Sequence, residues 1–157
     1  MKPTVAIVEA ASARQLEQVC ALLQSYQAEL PTECRFYDDE WQTLPGTYGP
    51  PHGVLLLATV SAKAAGCVGL RPFPRKRTCE MKRLYVAPEF RGNELGGALI
   101  EAIVQAGRRL GYECMRLDTH LATMGAAVKL YRRFGFIEVE AEPMPQVEGL
   151  AYMELRL

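Results

Sequence analysis

The sequence predicts a mixed α/β fold: a mostly antiparallel sheet of about seven strands flanked by about four helices, in one domain over residues 1–157. Three features carry that expectation. Three apolar segments between 54 and 87 are separated by turn-forming residues, as in an antiparallel meander. Helical and strand-like patterns alternate after it, and a strand–helix–strand run beside a meander implies a mixed sheet covered by helices. At 157 residues the chain is long enough to bury a substantial core.

Residues 4–9 read as a short strand. Ser12 and Gln15 form a capping-box pattern, in which two side chains satisfy N–H groups at a helix start. Leu16, Val19, Leu23, Tyr26 and Leu30 follow at helical spacing, and Pro31 ends the helix. Residues 33–43 fit a second, shorter helix. The segment 45-PGTYGPPHG-53 holds 6 Pro or Gly residues and is a loop. Val54–Val60 is a continuous apolar run, the pattern of a strand buried on both faces. SAKAAG (61–66) reads as a hairpin turn, and Cys67–Leu70 starts the return strand. The basic turn 74-PRKR-77 precedes a third strand, Cys79–Ala87, closed by Pro88. Gly92 and Asn93 open a long helix with apolar positions Leu95, Leu99, Ala102, Ile103, Ala106 and Leu110, stopped by Gly111. Residues 113–118 form a strand. A helix over Thr123–Phe134 follows, stopped by Gly135. Phe136–Glu140 and Ala151–Leu157 close the chain as a strand pair around loop 141–149.

Composition narrows the function. Hydrophobic residues make up 49% and charged residues 23%, the balance of a globular chain. The 18 basic and 18 acidic residues cancel, which argues against a dedicated nucleic-acid binder, because such binding leans on phosphate neutralisation. The apolar run in residues 1–10 is too short for a signal peptide, and Val54–Val60 is too short to cross a bilayer. The expected location is therefore cytoplasmic, with no membrane partner. The 5 cysteines contain no CxxC pair and read as free thiols, with no metal site.

The strongest local signal is 86-VAPEFRGNELGGAL-99. A strand ends, a turn follows, and a helix begins with small residues in its first turns. The first N–H groups of a helix lack intrahelical partners, and the helix dipole adds positive charge there. Small residues let a phosphate approach the backbone, so the segment reads as an anion cradle. Glycines that merely permit a tight turn and close packing are the plainer alternative. The GxGxxG spacing of a dinucleotide site and the P-loop Gly-Lys-Ser/Thr are both absent.

This segment resembles the GNAT superfamily of N-acetyltransferases, whose pattern is roughly V-x-P-x-x-(Arg/Gln)-x-x-Gly-x-(Gly/Ala). Val86, Pro88, Arg91 and Gly96 match, and Gly92 follows the common form, while Glu94 stands in place of the usual glycine. A second segment, 124-MGAAVKLYRRFGF-136, is similar to the family's N-x-x-A-x-x-L-Y-x-x-x-G-F. Ala127, Leu130, Tyr131, Gly135 and Phe136 match, and Met124 replaces the asparagine. The resemblance implies acetyl-CoA as co-substrate, with Arg91, Gly92, Asn93, Glu94, Leu95, Gly96 and Gly97 around its pyrophosphate. It also implies that Leu84, Tyr85 and Val86 pair with the pantetheine arm like an added strand, one N–H holding the oxyanion.

The same resemblance puts Tyr131 beside the cofactor sulfur, where a phenol can protonate the departing thiolate. Glu80 is the second catalytic candidate. An attacking amine is mostly ammonium at neutral pH, and a carboxylate relaying through water removes its proton. A salt bridge to Lys82, Arg83 or Arg116 is the competing role for Glu80, and His120 is the rival base. Cys79 neighbours Glu80, so strand alternation points it to the opposite face, away from any acyl-enzyme chemistry. Arg35, Arg71 and Arg83 are cationic candidates for an acceptor carboxylate, with solvated surface as their plainer reading. Loops 45–53 and 141–149 are where acceptor choice would lie.

The expected function is N-acetyl transfer from acetyl-CoA to a primary amine of a small molecule or peptide, by direct attack. A non-catalytic CoA-binding sensor or partner module of the same fold is the alternative. Monomer and homodimer both remain open.

Overall fold

The structure, a computed structural model, describes residues 2–32, 40–122 and 125–157. Its elements are β1 (Val5–Glu9), α1 (Ala13–Glu29), β2 (Val54–Val60), β3 (Lys63–Pro72), β4 (Thr78–Val86), α2 (Leu95–Arg109), β5 (Cys114–His120), α3 (Gly125–Arg133), β6 (Ile137–Val139) and β7 (Leu150–Arg156). The strands form one sheet in the order β1-β2-β3-β4-β5-β7-β6. Only β4 and β5 run parallel, joined through the crossover helix α2. The mixed, mostly antiparallel sheet follows the sequence. The described residues hold three α-helices. Of the expected short helix at 33–43, Glu40–Thr43 is a single 3-10 turn, and 33–39 lie outside the described residues.

Local chemistry explains the elements. The capping box at α1 is formed: Gln15 N–H donates to Ser12 Oγ at 3.1 Å, and Ser12 N–H donates back to Gln15 Oε1 at 3.1 Å. The β2–β3 hairpin is tighter than the six-residue turn the sequence suggests. Ser61 (φ 48) and Ala62 (φ 67) reverse the chain alone, and Lys63 already pairs with Val60. Two positive-φ residues match the right-handed twist of the strands, which longer turns do not need to do.

The sheet is covered on both faces. Val54, Leu56 and Ala58 join the core beneath α2 and α3, whereas Leu55 and Leu57 join the core beneath α1. That alternation is why β2 reads as apolar throughout. On α2 the buried stripe also takes in Ile100 and Val104, and Leu110, the residue that caps the helix, is 41% exposed. No described helix is long and apolar enough to cross a membrane.

Candidate active site

The sheet opens in its middle. β4 and β5 pair only through Thr78–Cys114, Cys79–Met115 and Glu80–Arg116. Beyond that point β4 continues with β3 as far as Val86, and β5 continues with β7 as far as His120. A bulge accompanies the divergence. The β3–β4 register shifts between Cys67 and Gly69, so Arg83 and Leu84 together oppose Val68, and Arg83 adopts φ 62. A bulge of this kind bends its strand and adds twist. The main chain of Lys82–Val86 therefore loses β5 as a partner and faces the gap.

The end of β4 leads into the expected cradle. Pro88–Phe90 form a 3-10 turn, Gly92 follows at φ 86, and Glu94 caps α2 from a left-handed conformation (φ 60). The Glu94 side chain makes no capping bond, and the first helical bond is Ala98 N–H to Glu94 O at 3.1 Å. The N–H groups of Leu95, Gly96 and Gly97 thus have no intrahelical acceptor. The glycines divide their work. A Cβ on Gly92 would meet nothing within 4 Å, so the turn is open. A Cβ on Gly96 would lie 3.4 Å from Leu130, and one on Gly97 would lie 3.7 Å from Phe134, so these two face the α3 segment at ordinary contact distance. An uncapped helix start beside an open glycine turn fits an anionic diphosphate. Asn93 is exposed in that turn. Arg91 is engaged elsewhere: Nε donates to Val86 O at 2.9 Å, and its other nitrogen pairs with Glu29 at 2.8 Å. Glu29 also accepts a short hydrogen bond from Tyr85, whose ring stacks on Tyr26 at 5.1 Å. Burial works upward on the Glu29 carboxyl, yet the bonds from Tyr85 and Arg91 hold it below its ordinary value.

Tyr131 is buried on α3, edge-on to Phe136 at 5.8 Å. Burial, reinforced by Tyr26 and Asp118, pushes its phenol above the ordinary value. Tyr131 belongs to the core beneath α2 and α3, and feels the charge of Asp118 on β5 and the ring of Tyr26 on α1.

A cavity of about 550 Å³ lies over the end of the β4–β5 ladder, between the β3–β4 hairpin and the loop 141–149. Glu80, Lys82, Arg116 and Asp118 line it from the two diverging strands. Glu80 pairs with Arg71, its cross-strand neighbour, at 3.0 Å, and not with Lys82, Arg83 or Arg116. Lys82 reaches across the gap to Asp118 at 3.4 Å. Arg116 donates to Glu154 at 2.9 Å and to Glu140 O at 2.7 Å. Of the cationic acceptor candidates, Arg71 lines the cavity; Arg83 does not, and binds Glu40 at 2.7 Å. Arg35 lies outside the described residues, as does Met124. Glu40 also accepts from Tyr48 at 3.0 Å and faces Arg71 at 3.4 Å. Burial alone would raise the Glu40 carboxyl, but Arg83, Tyr48 and Arg71 bring it below its ordinary value. His120 ends β5 beside Gly149 and does not line the cavity. Cys79 points to the opposite face, into the core beneath α2, where burial pushes its thiol up to about 12.

Residues 16–136 match the acetyltransferase (GNAT) family. The chain belongs to that family. An uncharacterized N-acetyltransferase of Schizosaccharomyces pombe is 40% identical over 161 residues, which span 100% of this chain and 98% of the relative. A second uncharacterized N-acetyltransferase, from Dictyostelium discoideum, is 38% identical over 52% of this chain and 38% of its own length. Among solved structures, a GNAT-family acetyltransferase from Staphylococcus aureus superposes with a TM-score of 0.80 at 15% identity, covering 98% of this chain and 99% of its own. An N-acetyltransferase from Thermoplasma acidophilum, in complex with coenzyme A, gives 0.75 at 17% identity over 98% and 99% of the two chains. The chain is thus a GNAT acyltransferase that takes an acyl-CoA and an acceptor. Sequence reasoning passed over Glu29, Glu40 and Asp118, and named Lys82 only as a possible partner of Glu80. Asp118 alone had a visible signal, a carboxylate two positions after Arg116 on the same strand face.

Proposed function

We propose that this chain moves an acetyl group from acetyl-CoA to a primary amine of a small molecule or peptide, by direct attack of the amine. The carrying observation is the gap between β4 and β5, together with the uncapped front of α2 after the turn that follows β4. Acetyl-CoA brings its acyl group as a reactive thioester. The N–H groups of Leu95, Gly96 and Gly97, with Gly92 and Asn93 in the turn, receive the pyrophosphate. Arg91 fixes the turn through Val86 O and Glu29, and Glu94 stays at the solvent side. The main-chain groups of Leu84, Tyr85 and Val86 that β3 and Arg91 leave unused align the pantetheine arm by strand-like hydrogen bonds. An N–H in that stretch opposes the charge that develops on the thioester oxygen.

Two side chains handle protons. Tyr131 keeps its proton through the neutral range, because burial raises its phenol, and delivers it to the leaving sulfur. Glu80 Oε1 accepts from Arg71 Nε, and Oε2 is the oxygen assigned to accept the amine's proton. The test is steady-state thiol release from acetyl-CoA with a panel of amines. Tyr131→Phe should lower kcat by roughly ten- to a thousand-fold while calorimetry shows unchanged CoA affinity. Unchanged turnover removes Tyr131 from the proton path. Tight CoA binding by the unmodified chain, with no thiol released for any amine, rejects the transfer.

A further inference from the structure

The cavity walls define what kind of amine fits. Among the described residues, every cation that lines it is already paired: Arg71 with Glu80 and Glu40, Lys82 with Asp118, Arg116 with Glu154. Arg116 is also held between the rings of Phe73 at 5.1 Å and Tyr152 at 5.3 Å. An acceptor carboxylate would have to break one of these pairs, and would then face Glu80 and Asp118. A second ammonium on the acceptor would have to displace Arg71 or Lys82 from its acid. Removing one partner of a shielded ion pair strands the other charge, which is costly. Apart from Thr47, the remaining walls are mostly apolar. Phe73, Leu150 and Tyr152 form the floor and sides, and Met144 (48% exposed) and Val147 (51% exposed) stand bare at the rim. Bare apolar side chains on a cavity mouth gain when a ligand covers them. Among the described carboxylates that line the cavity, Glu80 keeps the oxygen that no cation engages, Oε2, for a single amine.

Building on the acetyl-transfer reading above, we infer that the acceptor is a monoamine on an apolar aliphatic or aryl body, carrying neither a carboxylate nor a second ammonium. Its nitrogen lies at Glu80, where the ladder ends, and its body lies against Phe73, Tyr152 and the Met144–Val147 rim. In the transfer the C–N bond forms as the C–S bond breaks. The nitrogen's proton leaves toward Glu80, and the sulfur takes one from Tyr131.

Matched pairs test this. Phenethylamine and phenylalanine share a body and differ by a carboxylate; hexylamine and hexamethylenediamine differ by an ammonium. The monoamine of each pair should show kcat/KM at least about tenfold higher, the scale of discrimination a few kcal/mol supplies. From propylamine to hexylamine kcat/KM should rise about threefold per methylene. Met144→Asp and Val147→Asp, both at the exposed rim, should raise KM for phenethylamine more than they lower kcat. Equal or inverted preference within the pairs overturns the inference and leaves acetyl transfer standing. Calorimetry on the CoA-bound protein separates the two readings. Phenethylamine binding more tightly than phenylalanine, with no turnover, sinks the transfer and keeps the acceptor class. No difference in binding and none in rate sinks the acceptor class.

Discussion

Replacing Glu94 with glycine should both stabilise the protein and tighten its grip on coenzyme A. Glu94 sits at φ 60, ψ 16, with an exposed side chain that makes no capping bond. A left-handed conformation costs a non-glycine residue about 1–2 kcal/mol. Glycine gives back roughly 0.4–1 kcal/mol through the greater freedom of the unfolded chain. The net gain is about 0.5–1 kcal/mol, and a chain of this size gains about 2–4 °C in Tm per kcal/mol. Coulomb repulsion adds a second effect. A carboxylate ~8 Å from a phosphate weakens binding about twofold per phosphate charge in water, so two charges give about fivefold at low salt. At physiological ionic strength the screening length is about 8 Å, and most of that gain disappears. Thermal melts and calorimetric titration with CoA at low and high salt measure both effects. A Tm that falls means the left-handed cap is not strained by glutamate. An affinity gain that is equal at both salts means the carboxylate does not sense the phosphates.

Other outcomes follow from the same geometry. Ser12→Ala removes half of the reciprocal cap on α1 and should cost about 1 kcal/mol, read as a lower urea midpoint with unchanged slope. Glu40 is held below its ordinary carboxylate value of 4.5 in the folded state. Its contribution is therefore complete above that value and lost as pH falls through the lower folded one. Urea midpoints should drop through this acid window in the unmodified chain and drop less in Glu40→Gln, which starts lower at neutral pH. A Glu40→Gln profile parallel to the unmodified one would rule out this carboxylate as a source of the acid sensitivity.

Local signals were legible and long-range ones were not. Ser12 and Gln15 announce their helix because the bonds that cap it span three residues. Alternation separates Cys79 from Glu80 correctly, since a strand residue's face depends only on its neighbours. Leu110 misled because the apolar period continues one residue past the last turn of α2. The Glu80–Arg71 pair depends on the register of β3 against β4, which carries a bulge at Arg83, and spacing alone does not reveal a bulge. Glu40 joins Arg71 and Arg83 across 31 and 43 positions, a grouping that only the folded sheet creates. The glycine turn after Pro88 was readable as a motif, but the motif did not show that Gly96 and Gly97 face Leu130 and Phe134 while Gly92 stays open.

A sheet usually has two outer rims. Because the β4–β5 ladder stops after three residue pairs, this one has a third, an internal notch lined by amides and carbonyls of Lys82–Val86. Such a row is a template for any extended backbone, including a frayed strand from another copy of the chain. On the proposed placement of the pantetheine arm, coenzyme A and stray peptide would compete for the same hydrogen bonds, and ligand should guard against self-association. Light scattering during slow heating should register later onset with CoA present than the rise in Tm alone accounts for.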